Sequence, residues 1–147
     1  VQKLNFPQYT FQITSHSGKL WIFDRIRKKQ VALTPEEWVR QHLVNFLIEE
    51  RNCPRALMQV EFAVSFNNMP RRADVLIFDR YGRHWMVAEC KAPDVKITEE
   101  SAMQVAQYNM ALRAHYILLT NGLMHYCYQA DYSLGRLTAL ADIPFFT

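Results

Sequence analysis

Apolar and polar residues alternate along this chain in blocks whose period switches between two and about 3.6. Residues 9–14 alternate and predict a strand. Residues 20–23 predict another, with Ser17-Gly18 as the turn between them. From Thr34 the period becomes helical. Val39, Leu43, Phe46 and Leu47 recur on one face, which predicts an amphipathic helix to about Arg51. Thr34 suits the N-cap, Pro35 the first helical position and Glu37 the third, the spacing of a capping box. Asn52-Cys53-Pro54 ends the helix, because the residue before proline is pushed out of helical geometry.

A strand is predicted over 57–66, where Val60, Phe62 and Val64 alternate with Glu61, Ala63 and Ser65. Residues 67–70, Asn-Asn-Met-Pro, read as a turn, and a second strand covers 73–79. Tyr81-Gly82 makes a tight connection to a third strand over 83–91, closed by Pro93. A helix follows over 98–114, with Thr98 as its cap and Glu99 and Glu100 in the first turn, where they favour the helix dipole. Residues 116–120 form a continuous apolar run suited to a central strand buried on both faces. Asn121-Gly122 turns into a last strand over 124–128, and the tail ends on Phe145 and Phe146, which are expected to dock on the core.

The order α, β, β, β, α, β, β predicts an α/β fold with a mixed sheet and helices packed on it. With no repeat and no linker, one domain over 1–147 is expected: a β extension over 1–33, a core over 34–130 and a tail over 131–147. A length of 147 residues, half of them hydrophobic, fits a single core, and 21% charged residues argue against disorder.

Charge and cysteine content narrow the options a little further. A net charge of +3 permits a polyanionic partner without requiring one. Cys53, Cys90 and Cys127 form no CxxC pair, which argues against a zinc ribbon or a disulfide framework and for a reducing, cytoplasmic setting. No apolar run is long enough to span a membrane, and residues 1–10 lack a signal-peptide layout. The five histidines show no metal-ligand spacing. The basic cluster Arg25, Arg27, Lys28, Lys29 reads either as a solvated loop or as a phosphate contact.

The candidate chemistry sits on the hairpin of the second and third core strands. A two-residue turn between Arg80 and Arg83 sets Asp74 opposite Glu89, with side chains about 4.5–5.5 Å apart at Cβ. Lys91, two residues beyond Glu89, shares its face. Two carboxylates this close repel each other unless a cation joins them. A hard divalent cation such as Mg²⁺ takes oxygen ligands, keeps several waters and can activate one of them. Lys91 then orients the attacking water or offsets developing negative charge. The alternative is a cross-strand salt-bridge ladder, although the apolar neighbours of Glu89 and Lys91 make an unpartnered charge there costly. Arg71 and Arg72, just before Asp74, are candidate phosphate contacts.

Several blocks then occur in one order: Leu33-Thr34-Pro35-Glu36-Glu37-Trp38-Val39-Arg40-Gln41, Arg72-Ala73-Asp74-Val75, Glu89-Cys90-Lys91-Ala92-Pro93, Gln104-x-x-x-Tyr108-Asn109 and Thr120-Asn121-Gly122. Over residues 24–130 the chain resembles the PD-(D/E)XK nuclease superfamily, and within it the N-terminal nuclease region of type I restriction enzyme R (HsdR) subunits. The resemblance implies a restriction-endonuclease-like sheet with an αβββαβ core and Mg²⁺- or Mn²⁺-dependent cleavage of DNA. It implies that Asp74 and Glu89 bind the metal, that Lys91 is the catalytic lysine, and that the Cys90 carbonyl is a further ligand. Gln104 and Tyr108 match the QxxxY motif of related nucleases, and at i and i+4 they share a helix face, as residues of any amphipathic helix would.

The superfamily also places a glutamate on the first helix. At 100° per residue Glu36 lies about 20° from the buried face centred on Leu43, and Glu37 about 120° away, so Glu36 is the expected ligand and Glu37 the capping-box partner. No P-loop is present, and the motor and subunit-docking regions of a full restriction subunit are not expected here. Partners implied by the resemblance are DNA and other restriction or defence subunits, with a homodimer as one way to cut both strands. The competing expectation is an inactive DNA- or protein-binding module on the same fold.

Overall fold

A computed structural model describes residues 2–147; Val1, the first residue of the expected extension, lies outside them. The chain forms β1 (Ile13–His16), β2 (Lys19–Asp24), β3 (Lys29–Ala32), α1 (Pro35–Arg51), β4 (Met58–Phe66), β5 (Met69–Phe78), β6 (His84–Cys90), α2 (Glu99–Leu112), β7 (Tyr116–Thr120), β8 (His125–Asp131) and β9 (Arg136–Leu140). Strands β1 to β3 make a small antiparallel sheet, and β4 to β9 a six-stranded sheet in chain order.

The crossover through α2 makes β6 and β7 parallel, from Met86↔Tyr116 to Cys90↔Thr120, while every other pairing is antiparallel. Each helix covers one face of the large sheet. Val39, Leu43 and Leu47 of α1 pack with Val75, Ile77, Ala88 and Leu118. Val105, Tyr108 and Leu112 of α2 pack with Leu76, Val87 and Leu119 on the other side. Each such fully buried aliphatic side chain contributes about 1.5–3 kcal/mol.

Four expectations are corrected. The turn at 67–70 is shorter: Asn67 and Asn68 carry it alone, both at positive φ, and Phe66 pairs with Met69. Asparagine tolerates that left-handed geometry, which a two-residue hairpin turn requires. Lys29 belongs to a strand rather than to a loop, because β3 zips onto β2 from Asp24↔Lys29. The stretch read as a tail over 131–147 contains β9, whose short and largely exposed alternation hides it among polar residues. The turn between β5 and β6 is wider than two residues, with the Asp79 N–H donating to the Arg83 carbonyl at 2.7 Å. A bulge at Trp85 then restores the expected register, so that Val75 faces Ala88.

The chain ends are pinned. Phe146 meets Trp85 edge to face with ring centroids 5.1 Å apart, whereas Phe145 stays exposed beneath the Arg51 guanidinium. Gly122 sits at φ +85°, and a Cβ there would meet Leu4 at 2.8 Å, so the β7–β8 turn needs glycine twice over. Asn121 completes that turn by accepting from the Leu123 and Met124 amides, and it donates to the Val95 carbonyl at 2.9 Å. It thereby fixes the segment that follows Lys91.

Candidate active site

Continuing the Val75↔Ala88 register places Asp74 opposite Glu89. Asp74 is buried and held from two sides. Its Oδ2 accepts the Cys90 N–H at 2.7 Å, and its Oδ1 accepts Nη1 of Arg40 at 3.1 Å. Glu89 lies beside Asp74, whose charge reaches its carboxyl, and its Oε2 accepts the Tyr108 hydroxyl at 2.7 Å. Lys91 Nζ stands 3.9 Å from the Glu89 Oε1. Strands β5 and β6, the residue just after β6, and α2 thus bring Asp74, Glu89, Lys91 and Tyr108 together.

The electrostatics follow from burial. Loss of solvent pushes the Glu89 carboxyl up first, and the Asp74 charge beside it adds to this, raising it to about 8. Burial likewise raises the Tyr108 phenol, which therefore stays protonated as a donor. Glu36 lies at the start of α1, exposed but close enough to sense Asp74, Arg40 and Lys91. Partial burial and then the Asp74 charge raise its carboxyl.

Glu37 departs from its expected place. Its amide does donate to Thr34 Oγ1 at 3.0 Å, but its carboxylate does not return to the cap. It is buried among Arg27, Arg40 and Gln41 at 2.7–3.1 Å. Besides its apolar face, α1 buries a second, polar one carrying Glu37, Arg40, Gln41 and Asn45, which a pattern of apolar residues does not mark. Arg27 likewise is neither a solvated loop residue nor a free phosphate contact, since Asp24 and Glu37 enclose it at 2.7 and 2.8 Å.

Other candidates stand farther off. Gln104 is exposed and hydrogen-bonds none of the site's side chains among the described residues. It borders a cleft of about 150 Å³ with Asn67, Arg71 and Tyr108. Arg71 and Arg72 are exposed on β5, and Arg72 reaches Glu61 at 3.5 Å. The Cys90 thiol is fully buried and raised by burial, so only its main chain can serve the site.

Sequence reasoning missed Arg40 and Glu61 altogether. The i, i+3 and i+4 spacing of Glu37, Arg40 and Gln41 was a usable signal for Arg40. Glu61 gave none: it sits mid-strand at φ +52°, facing Arg27, Arg40 and Arg72 at 3.4–3.6 Å.

Among the described residues no group of three or more His, Cys, Asp or Glu side chains is gathered as a metal cage. The donor types nonetheless suit a hard, partly hydrated cation: the Asp74 and Glu89 carboxyls on adjacent strands, with the Glu36 carboxylate near enough to sense Asp74. The raised Glu89 carboxyl carries the same message, because a proton there relieves a repulsion that a cation would relieve better.

This has a consequence for stability. The proton on Glu89 is held more tightly in the folded state, near pH 8, than in the unfolded chain, near 4.5. Folding therefore binds a proton between those values. Without added metal, stability should fall as pH rises from about 4.5 through 8, by a few kcal/mol at most. Urea melts at pH 5, 7 and 9 will read this. A Glu89→Gln variant should flatten the trend, and an equally steep trend in that variant would assign it elsewhere.

A family model described as the type I restriction enzyme R protein N terminus (HSDR_N) matches residues 35–144. No curated protein sequence matches the chain. Among solved structures, a fragment designated an HsdR subunit of a type I restriction enzyme from Vibrio vulnificus superposes with a TM-score of 0.53 at 22% identity, over 77% of this chain and 24% of that one. The chain thus spans about a quarter of that protein. A protein designated a nuclease from Anabaena variabilis aligns with a TM-score of 0.49 at 10% identity, over 86% of this chain and 75% of that one. The α/β fold with its mixed sheet is restriction-endonuclease-like. Among the described residues no helix is long and apolar enough to cross a membrane.

Proposed function

Because the chain belongs to the type I restriction enzyme R N-terminal family, we propose that it is a divalent-metal-dependent endonuclease that hydrolyses DNA phosphodiesters. The observation that carries this reading is the placing of the buried Asp74 carboxyl and the half-buried Glu89 carboxyl on paired strands, with Lys91 Nζ 3.9 Å from Glu89.

Asp74 and Glu89 are the proposed ligands of one Mg²⁺ or Mn²⁺, with the Cys90 carbonyl and Glu36 as further donors. When bound, the ion supplies Lewis acidity and a water of lowered pKa. Lys91 holds the attacking water or offsets charge building on the phosphate. Tyr108 fixes Glu89 through its 2.7 Å hydrogen bond. Arg71, Arg72 and Gln104, exposed along β5 and α2, take the phosphates that flank the cut. Other subunits of a restriction system, or a second copy of the chain, are the proposed partners, with the cytoplasm as the setting.

The contact of Arg40 with Asp74 favours a second reading, in which protein cations replace the metal and the domain only binds DNA or a partner. A plasmid-nicking assay in Mg²⁺ or Mn²⁺ separates the two. The parent should cut, and Lys91→Ala should cut at least about 100-fold more slowly, as for loss of one charge-stabilising donor. Both should bind Mn²⁺ alike by calorimetry. A Lys91→Ala protein that cuts like its parent would sink the assignment, and DNA binding without metal uptake or cleavage would favour the second reading.

A further inference from the structure

Five buried or half-buried polar side chains, Asp24, Arg27, Glu37, Arg40 and Gln41, link the small sheet to Asp74, and the proposed chemistry requires none of them. Asp24, at the end of β2, accepts the Ile26 and Arg27 amides at 2.7 and 2.8 Å, which shapes the β2–β3 turn. Its other oxygen holds Arg27 Nε at 2.7 Å and Gln41 Nε2 at 3.1 Å. Arg27 Nη2 then reaches Glu37 Oε1 at 2.8 Å. Arg40 grips the same carboxylate twice, Nη2 to Oε1 at 2.7 Å and Nε to Oε2 at 3.1 Å.

A guanidinium is planar, so two bonds to one carboxylate fix its plane. The remaining Nη1 can then point in only one direction, and it points at Asp74 Oδ1, 3.1 Å away. Asp74 is thereby held by Arg40 on one oxygen and by the Cys90 amide on the other. Buried ion pairs seldom raise stability above that of apolar packing. A chain of them that ends on one functional carboxylate is better explained by orientation.

We propose that Arg27, a positioning residue on the small sheet, sets the orientation of the Asp74 carboxylate through Glu37 and Arg40, which makes the N-terminal sheet part of the active-site scaffold. This rests on the nuclease reading for its effect on cleavage, but not for its effect on Asp74. Partners one step removed from a metal ligand typically change activity or metal affinity by about 10–100-fold. Arg27 stands three steps away, through Glu37 and Arg40, so the lower end of that range is expected.

The test uses the full chain with Arg27→Gln, Arg27→Lys and, as a control, Glu49→Gln. The control removes the 3.5 Å pair between Glu49 and Arg25 of the same turn. Two readouts are taken: kcat and KM for plasmid nicking, and the ¹H–¹⁵N signal and exchange rate of the Cys90 amide. That amide reports Asp74 directly because it donates to Oδ2.

Arg27→Gln should lower kcat about 10-fold with KM unchanged, shift the Cys90 signal and speed its exchange about 10-fold. The Ala88 amide, in the same strand, should stay put. Arg27→Lys should recover part of both effects, and Glu49→Gln should show neither. A folded Arg27→Gln protein with a parental Cys90 amide overturns the proposal, whatever its activity. Equal losses at Cys90 and Ala88 would mean general loosening and overturn it too. If the parent cuts no DNA, the nuclease reading fails alone, and the Cys90 amide still decides the positioning role.

Discussion

Exchanging Asp74 for alanine is expected to lower kcat for metal-dependent DNA cleavage by about 10³-fold or more, since a bound cation supplies several kcal/mol of transition-state stabilisation. The fold should survive. Arg40 keeps its two bonds to Glu37, so no guanidinium is left without a partner, and the Cys90 amide loses one acceptor at a cost of about 1–3 kcal/mol. Removing the Asp74 charge also takes away a neighbour that raises the Glu89 carboxyl, so Glu89 should ionise more easily in the variant. Calorimetry should show Mn²⁺ uptake weakened by at least about 10-fold, by analogy with losses at supporting residues of metal sites. Asp74→Asn sharpens the test. An amide can accept from Cys90 but must then point an NH₂ at Arg40, or the reverse. That variant should be as inactive as the alanine one and no more stable. Nicking within about 10-fold of the parent in either protein would remove Asp74 from the chemistry.

Exchanging Arg40 for methionine should cause the largest loss of stability, about 3–5 kcal/mol, the usual effect of removing one side of a buried ion pair. Arg40 is almost fully buried and touches Glu37 and Asp74, both nearly enclosed. Without it, Arg27 and Gln41 still hold Glu37, but Asp74 retains only the Cys90 amide. Domains of this size have about 5–15 kcal/mol in total, so the melting temperature should drop by roughly 10 °C or more. Urea titration with an unchanged m-value checks it. Arg40→Lys should recover only part of the loss, because an ammonium cannot grip one carboxylate with two parallel bonds and reach a second. A melting temperature within about 2 °C of the parent for Arg40→Met would show that the network contributes little to folding.

The sequence made some of this plain and concealed the rest for physical reasons. The opposition of Asp74 and Glu89 followed from strand alternation and a guessed turn. The register was right although the turn was not, because the Trp85 bulge absorbs the extra residue. Bulges leave no mark in a period-two pattern. Glu36 was expected on the helix face turned to the sheet, but it stays exposed at the start of α1, within reach of the Asp74 charge. The burial of Glu37 was not legible, because it depends on Arg27, which arrives from a separate sheet. Tyr108 was singled out by its motif, and its hydroxyl donates to Glu89. Gln104 satisfies the same spacing yet stays in solvent, which shows that sharing a helix face is weaker than touching one neighbour. β3 and β9 were hidden because short edge strands carry too few apolar residues to be distinguished from loops.

The bulge has one more implication. The Trp85 bulge lies between the Asp79–Arg83 turn and the Asp74–Glu89 pair, so a change of length at the hairpin tip can be taken up there before it reaches the carboxylates. Tyr81 projects from the tip almost wholly into water. A fluorophore or affinity handle grafted beside Tyr81 is therefore expected to leave Asp74 and Glu89 in place.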